Sequence, residues 1–422
     1  MNSRINHRLK GLGLSATIEI NQKSQELEKA GRKIYKLGLG QSPFPVPERV
    51  VNELKQNAHE KAYEPVQGIR ILREAVAGFH RRKNQMAANL DNVMIGPGSK
   101  ELMFLLQLVF NGEIILPTPC WVSYEPQAKI LGHRVRKIHT TYDSGWRITP
   151  EQINQVSNTN RNQLLILNYP GNPDGQSYSS EELKEIAAAA KKKRVLILSD
   201  EIYGELHHQG KHESIARYYP EGTIISSGLS KWCGAGGWRL GTFTFPDDLT
   251  DLMIAMCAAG SETYTSVSSP IQYAAAAAFK GGEDIERYLA HARRILSKLG
   301  NEASDILEKA KVKVHRPKGG FYLFLDFSNH QKKLRARGIT TSKDLTNTIL
   351  KDTGVATLPG SDFLRPKKEL TARIAYVDFD GSKTLVASQS IGIISNLPDN
   401  FTKDYCPKVI EAMELIANWL KQ

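Results

Sequence analysis

Cysteine is scarce in this chain. Its 422 residues include four, Cys120, Cys233, Cys257 and Cys406, with no CxxC pair and no metal-ligand spacing. They read as isolated reduced thiols, and no metal is expected. Long apolar runs are also missing, since none approaches the ~18–20 residues that a membrane span needs. The N-terminus MNSRINHRLKGLGLSA lacks the apolar core of a secretory signal. It is basic and carries no acid before Glu19, but ordered motifs already begin at Ser15, which leaves too little chain for a transit peptide. These absences point to a cytoplasmic protein with no membrane partner. The net charge of +12 raises nucleic acid as a partner. However, the basic residues are dispersed, and KKKR at 191–194 and KK at 332–333 read as solvated faces. No helix-turn-helix, zinc or RNA-binding signature accompanies them, so no nucleic-acid partner is expected. A positive field of this kind favours anionic substrates and phosphates instead.

No repeat, low-complexity segment or Pro/Gly/Ser-rich linker divides the chain, so its organisation must come from patterning. Short continuous apolar runs alternate with helical patterns: NVMI, EIIL, QLLILN, RVLILS and TIISS against KELMFLLQLVF and EELKEIAAAAKKK. Such runs suit strands buried on both faces, and the alternation implies an α/β fold with a mostly parallel, helix-covered sheet. After about residue 283 the pattern changes. Ile285, Leu289, Ala292, Leu296, Leu299, Ala303 and Ile306 recur at steps of four and three, which predicts one long amphipathic helix. Alternating runs follow at 321–327 and 372–379, with a closing helix near 407–421. We read a large domain over 45–283 and a smaller α/β domain built from 1–44 with 284–422. The turn-rich segment GLGQSPFPVP (38–47) crosses between them.

In an open parallel sheet, ligands sit beyond the carboxyl ends of the strands. GPGSK (96–100) places a glycine turn at a helix start, where backbone donors suit a phosphate; the GxxxxGK[ST] spacing of a P-loop is absent. Asp200 ends a strand that should be buried, where an ionised carboxylate needs a partner; capping a helix is the alternative role. Lys231 lies in a small-residue turn beyond TIISS, Arg239 follows in GWRLG, and Arg373 opens an apolar strand. A phosphate, a cationic ring nitrogen, a carbonyl awaiting a lysine and a carboxylate awaiting an arginine together describe pyridoxal 5′-phosphate with an amino acid. A lysine made less basic by burial and cationic neighbours can form the Schiff base and then shuttle a proton.

Ordered motifs run nearly the whole chain: SATIEINQKSQEL, GLGQSPFPVP, YEPVQGIRILREAVAGF, GPGSKELMF, PTPCWVSY, NYPGNPDG, LSDEIYGEL, GLSKWCGAGGWRLG, PKGGFYLFLD, LPGSDF and RIAYVDFDG. On these the sequence resembles the class I/II aminotransferases, the aspartate aminotransferase superfamily of fold type I enzymes that use pyridoxal 5′-phosphate. The resemblance implies that Lys231 carries the cofactor as a Schiff base and that Asp200 pairs with its ring nitrogen. Tyr203 and Asn172 then meet the ring oxygen, and Trp121 stacks on the ring. Gly98, Ser99 and Lys100 form part of the phosphate cup, which Arg239 closes. Tyr63 reaches the phosphate of a neighbouring subunit, which implies a homodimer with shared active sites. Arg373 clamps the substrate carboxylate with help from the backbone of Gly40, and Trp121 and Asn172 also face the substrate.

Two departures bear on this. Many relatives carry a phosphate-binding serine three residues before the lysine, where this chain has Gly228, and the family's GEPDF appears as GQSPF (40–44). Gly13 stands where prephenate-type relatives have lysine, which argues against prephenate. The expected reaction moves an amino group between an L-amino acid, possibly aspartate or glutamate, and a 2-oxo acid. A lyase or decarboxylase on the same site, or a non-catalytic regulator on the same fold, are the other outcomes that this architecture allows.

Overall fold

Continuous apolar runs form strands here because both faces of the sheet they enter are covered. The computed structural model describes residues 4–157 and 161–422. Among these, a seven-stranded sheet contains β2 (Val93–Gly96), β3 (Gly112–Thr118), β4 (Val135–His139), β5 (Asn162–Asn168), β6 (Leu196–Asp200), β7 (Thr223–Gly228) and β8 (Gly241–Thr244). Their order is β2-β8-β7-β6-β5-β3-β4. β4, β3, β5, β6 and β7 run parallel, while β8 is antiparallel to both of its neighbours. The sheet is thus mostly parallel, as the alternation implied.

Strand β5 shows how the two faces are used. Leu164 and Ile166 pack in one cluster with Leu102, Leu105 and Leu106 of the helix Ser99–Val109. Leu165 and Leu167 pack in another with Leu183 and Ile186 of the helix Ser180–Lys193. Each buried side chain of this size contributes about 1.5–3 kcal/mol, so the period-two pattern fixes the register. The second helix starts at a capping box between Ser179 and Glu182 and stops at Arg194, which is left-handed. That stop moves the start of β6 to Leu196, two residues later than the run RVLILS suggested.

The remaining strands are β1 (Tyr35–Lys36), β9 (Tyr322–Asp326), β10 (Val355–Ala356), β11 (Leu358–Pro359) and β12 (Thr371–Ala375). β11, β12 and β9 form an antiparallel sheet in that order. Arg373 lies at the middle of β12, opposite Phe324, rather than at its start. The expected amphipathic helix spans Glu283–Lys309 and buries Ile285, Leu289, Ala292, Leu296, Leu299 and Ala303. β1 pairs in parallel with β10, which fastens the N-terminal segment to the C-terminal part of the chain. Among the described residues, no helix is long and apolar enough to cross a membrane.

Candidate active site

Because β3, β5, β6 and β7 are parallel, their last residues (Thr118, Asn168, Asp200 and Gly228) share one edge of the sheet. The chain order reverses between β3 and β5, which opens the crevice where α/β sheets hold ligands. A cavity of about 570 Å³ lies there, lined by Ser99, Lys100, Trp121, Asn172, Asp200, Tyr203, Lys231 and Arg239 among others. Gly40 enters its wall from the 38–47 segment. The structure therefore gathers most of the residues singled out in the sequence.

Lys231 projects into the cavity, where its Nζ donates to the Gly40 carbonyl at 2.7 Å. Burial lowers its pKa to about 8; the Arg373, Arg239 and Lys100 charges lower it too, while Asp200 opposes them. An amine that titrates near 8 has a usable neutral fraction at physiological pH. Among the described residues, Asp200 has no cation within ion-pair distance. Instead the Tyr124 hydroxyl donates to its Oδ2 at 2.6 Å, and the Ile202 amide approaches Oδ1 at 3.4 Å. Burial raises its pKa to about 6, and the Tyr124 hydrogen bond holds it down. Tyr124 was not read from the sequence. In PTPCWVSY it resembles an ordinary core aromatic, and it is also packed edge-on against Trp121 at 5.3 Å between ring centres.

The glycine turn opens a helix. Gly98 caps the helix Ser99–Val109 with φ 95°, and an added Cβ there would collide with the Arg239 guanidinium. Arg239 is itself left-handed and donates to the carbonyls of Gly236 and Pro97. Lys100 places its ammonium 5.0 Å from the Trp121 ring centre, and burial, then Arg239, lower its pKa. Gly228 pairs with Gly241 across β7 and β8, and a Cβ at Gly228 would stand 2.7 Å from the Leu240 carbonyl. A serine there requires a shift of β8, which accounts physically for the missing hydroxyl.

Arg373 is 1% exposed, yet no carboxylate lies within ion-pair range among the described residues. It donates to the Gly38 carbonyl and reaches Asn172 Oδ1 at 3.4 Å. Its Nε is buried without a partner. A buried cation with an orphaned donor is a costly arrangement for a protein to keep, and an anionic ligand resolves it. Tyr203 meets Tyr322 hydroxyl to hydroxyl at 2.8 Å, a second tyrosine that the sequence did not single out. Tyr63 lies outside the cavity and is 89% exposed.

Around Lys231 the described residues thus present Lys100, Arg239 and Arg373 against the carboxylate of Asp200. This donor set fits a bound phosphate at the Gly98–Arg239 end, a ring nitrogen at Asp200 and a carboxylate at Arg373.

Residues 32–386 match the family model for aminotransferases of class I and II. The chain is 32% identical to an aspartate aminotransferase of Bacillus sp. (strain YM-2) over 89% of its length and 95% of that protein. It is 29% identical to an asparagine–oxo-acid transaminase of Streptococcus mutans, over 89% and 95% of the two chains. Its fold superposes on Thermus thermophilus aspartate aminotransferase with maleate at a TM-score of 0.84 and 26% identity, covering 99% and 100%.

Proposed function

This chain belongs to the aminotransferases of class I and II, and from that premise we propose that Lys231 carries pyridoxal 5′-phosphate and that aspartate or glutamate is the amino donor. The observation that carries the reading is a buried lysine with a pKa of about 8 that shares one cavity with Asp200, Lys100 and Arg239 and feels the charge of the buried Arg373. When bound, the cofactor supplies an electron sink for the negative charge that develops at the amino acid's α-carbon. Arg373 binds the substrate carboxylate as a fork and so fixes which α-bond faces Lys231. Lys231 Nζ removes the proton from the α-carbon and later returns it. Asp200 holds the ring nitrogen, Tyr203 and Asn172 the ring oxygen, and Trp121 covers the ring. Gly98, Ser99 and Arg239 hold the phosphate, and the Gly40 carbonyl steadies the lysine.

The donor proposal rests on Lys100, a cation whose pKa falls by burial beside Trp121. A partly desolvated charge pair with a distal carboxylate contributes ~1–3 kcal/mol, which is roughly tenfold to a hundredfold in preference over alanine. We expect kcat/KM for aspartate to exceed that for alanine and phenylalanine with 2-oxoglutarate as acceptor. Lys100→Ala should remove that preference selectively. Equal losses on all three donors, or a wild type that prefers alanine, would return Lys100 to the phosphate cup.

The reading also divides the chain into a large unit (45–283) and a small one (1–44 with 284–422). The β1–β10 pairing supports this, because it links the first segment to the last. Four free thiols support a reducing, cytoplasmic setting. We further propose a homodimer in which Tyr63 serves the neighbouring site; its 89% exposure supports a role outside its own cavity. Mixing Tyr63→Phe with Lys231→Ala subunits should then restore activity, because each hybrid has one intact site. In an equal statistical mixture about a quarter of wild-type activity is expected. An active monomer by light scattering, or no recovery on mixing, contradicts the shared site.

A further inference from the structure

Tyr203 and Tyr322 come from different sheets and meet beside the cavity. Tyr203 follows β6, whereas Tyr322 opens β9 next to the strand that carries Arg373. Both are buried, and their hydroxyl oxygens are 2.8 Å apart. Two hydroxyls in contact share one hydrogen bond, so one proton is spent between them and the other remains to be directed elsewhere. Which of them keeps its proton decides what the site can do.

Either hydroxyl can donate to the other, and three observations favour Tyr322 as the donor. Tyr203 lines the cavity, and Tyr322 stands behind it. The Arg373 guanidinium lies 4.9 Å from the Tyr322 ring centre, and a neighbouring cation makes a phenol the more willing donor. The backbone of Gly40 closes over the Tyr322 hydroxyl so tightly that no Cβ fits between them. Among the described residues, the hydrogen-bond partner found for the Tyr322 hydroxyl is the oxygen of Tyr203. That same Gly40 accepts from Lys231, so the Tyr322 hydroxyl also sets the position of the loop that steadies the lysine.

We propose that Tyr322 is a positioning residue that donates to Tyr203 and thereby turns the Tyr203 proton into the cavity, towards the ring oxygen of the cofactor. This rests on the reading that places the cofactor ring beside Tyr203. Hydrogen bonds in series strengthen one another, so a donor behind Tyr203 makes Tyr203 the better donor in front. A strong donor at the ring oxygen draws charge away from it, so the nitrogen on Lys231 nearby loses its proton at lower pH.

The test is the pH midpoint of the visible absorbance of the cofactor-loaded protein, measured for wild type, Tyr203→Phe, Tyr322→Phe and the double variant. Tyr203→Phe should raise the midpoint. Tyr322→Phe should raise it less, by about half a pH unit. The double variant should match Tyr203→Phe alone, since Tyr322 acts only through Tyr203. If Tyr203→Phe moves the midpoint but Tyr322→Phe does not, or if the two effects add in full, the relay is wrong while the site stands. If Tyr203→Phe is itself silent, the placement of the ring fails and takes the relay with it. Should Tyr322→Phe fold poorly, 3-fluorotyrosine at position 322 keeps the ring and acidifies the hydroxyl. It must then shift the midpoint downwards, and an upward or absent shift overturns the proposal.

Discussion

Lys231→Ala should lose at least about 10⁴-fold in turnover, because one amine both carries the cofactor and moves the α-proton. The two tasks separate experimentally. Borohydride treatment of the loaded wild type should fix the cofactor to the peptide containing Lys231, as read by mass spectrometry, and leave other lysines unlabelled. The alanine variant should still bind the cofactor non-covalently through the Gly98–Arg239 end of the cavity. Labelling at another lysine, or turnover within tenfold of wild type, would remove Lys231 from the mechanism. The surroundings explain why this lysine is suited to the work. Burial and three neighbouring cations lower its pKa to about 8, against the pull of Asp200. A solvated lysine near 10.4 keeps its proton at neutral pH and cannot accept another.

Asp200→Ala should cost roughly 10²-fold or more in kcat with a smaller change in cofactor affinity, because the electron sink depends on a charged ring nitrogen. A change within a few-fold would make the carboxylate structural. The proton balance of this carboxyl can be tested separately through Tyr124. Burial holds Asp200 at about 6, and only the ionised form can support a ring cation, so activity should fall as pH drops through that region. Tyr124→Phe removes the 2.6 Å donor to the carboxylate. The charged form then loses stabilisation, the pKa rises further, and the acid limb of kcat/KM moves to higher pH. An unmoved acid limb would mean that the limb belongs to another group.

Much of this site was legible because strand ends concentrate chemistry. Asp200, Lys231 and the Gly98–Lys100 turn each follow an apolar run, and the run alone locates them at one edge of the sheet. Tyr124 and Tyr322 were not legible, because an aromatic within an apolar stretch reads as core and their partners are far along the chain. Tyr124 meets a residue 76 positions away, and Tyr322 one 119 positions away. Arg373 was found from its place in an apolar strand, but its donation to the Gly38 carbonyl was not. That contact depends on the path of a turn-rich segment, which composition does not encode. β8 escaped the reading too: only four residues long, it enters the sheet antiparallel between β2 and β7.

The glycines at the Arg239 end of the cavity carry a lesson for anyone who wants to change what this enzyme accepts. At Gly98 and Gly228 not even a methyl group fits without moving an arginine or a strand, so sequence variation there is sterically closed. The lining also includes Thr17, Ile18, Leu39 and Gln41, side chains that no described hydrogen bond ties to the cofactor-holding residues. Randomised libraries confined to those four positions alter the shape offered to a substrate side chain while the anchoring end stays fixed. The cavity thus has one set of positions resistant to mutational drift and one set open to selection, and new amino-acid specificities should be sought at the second.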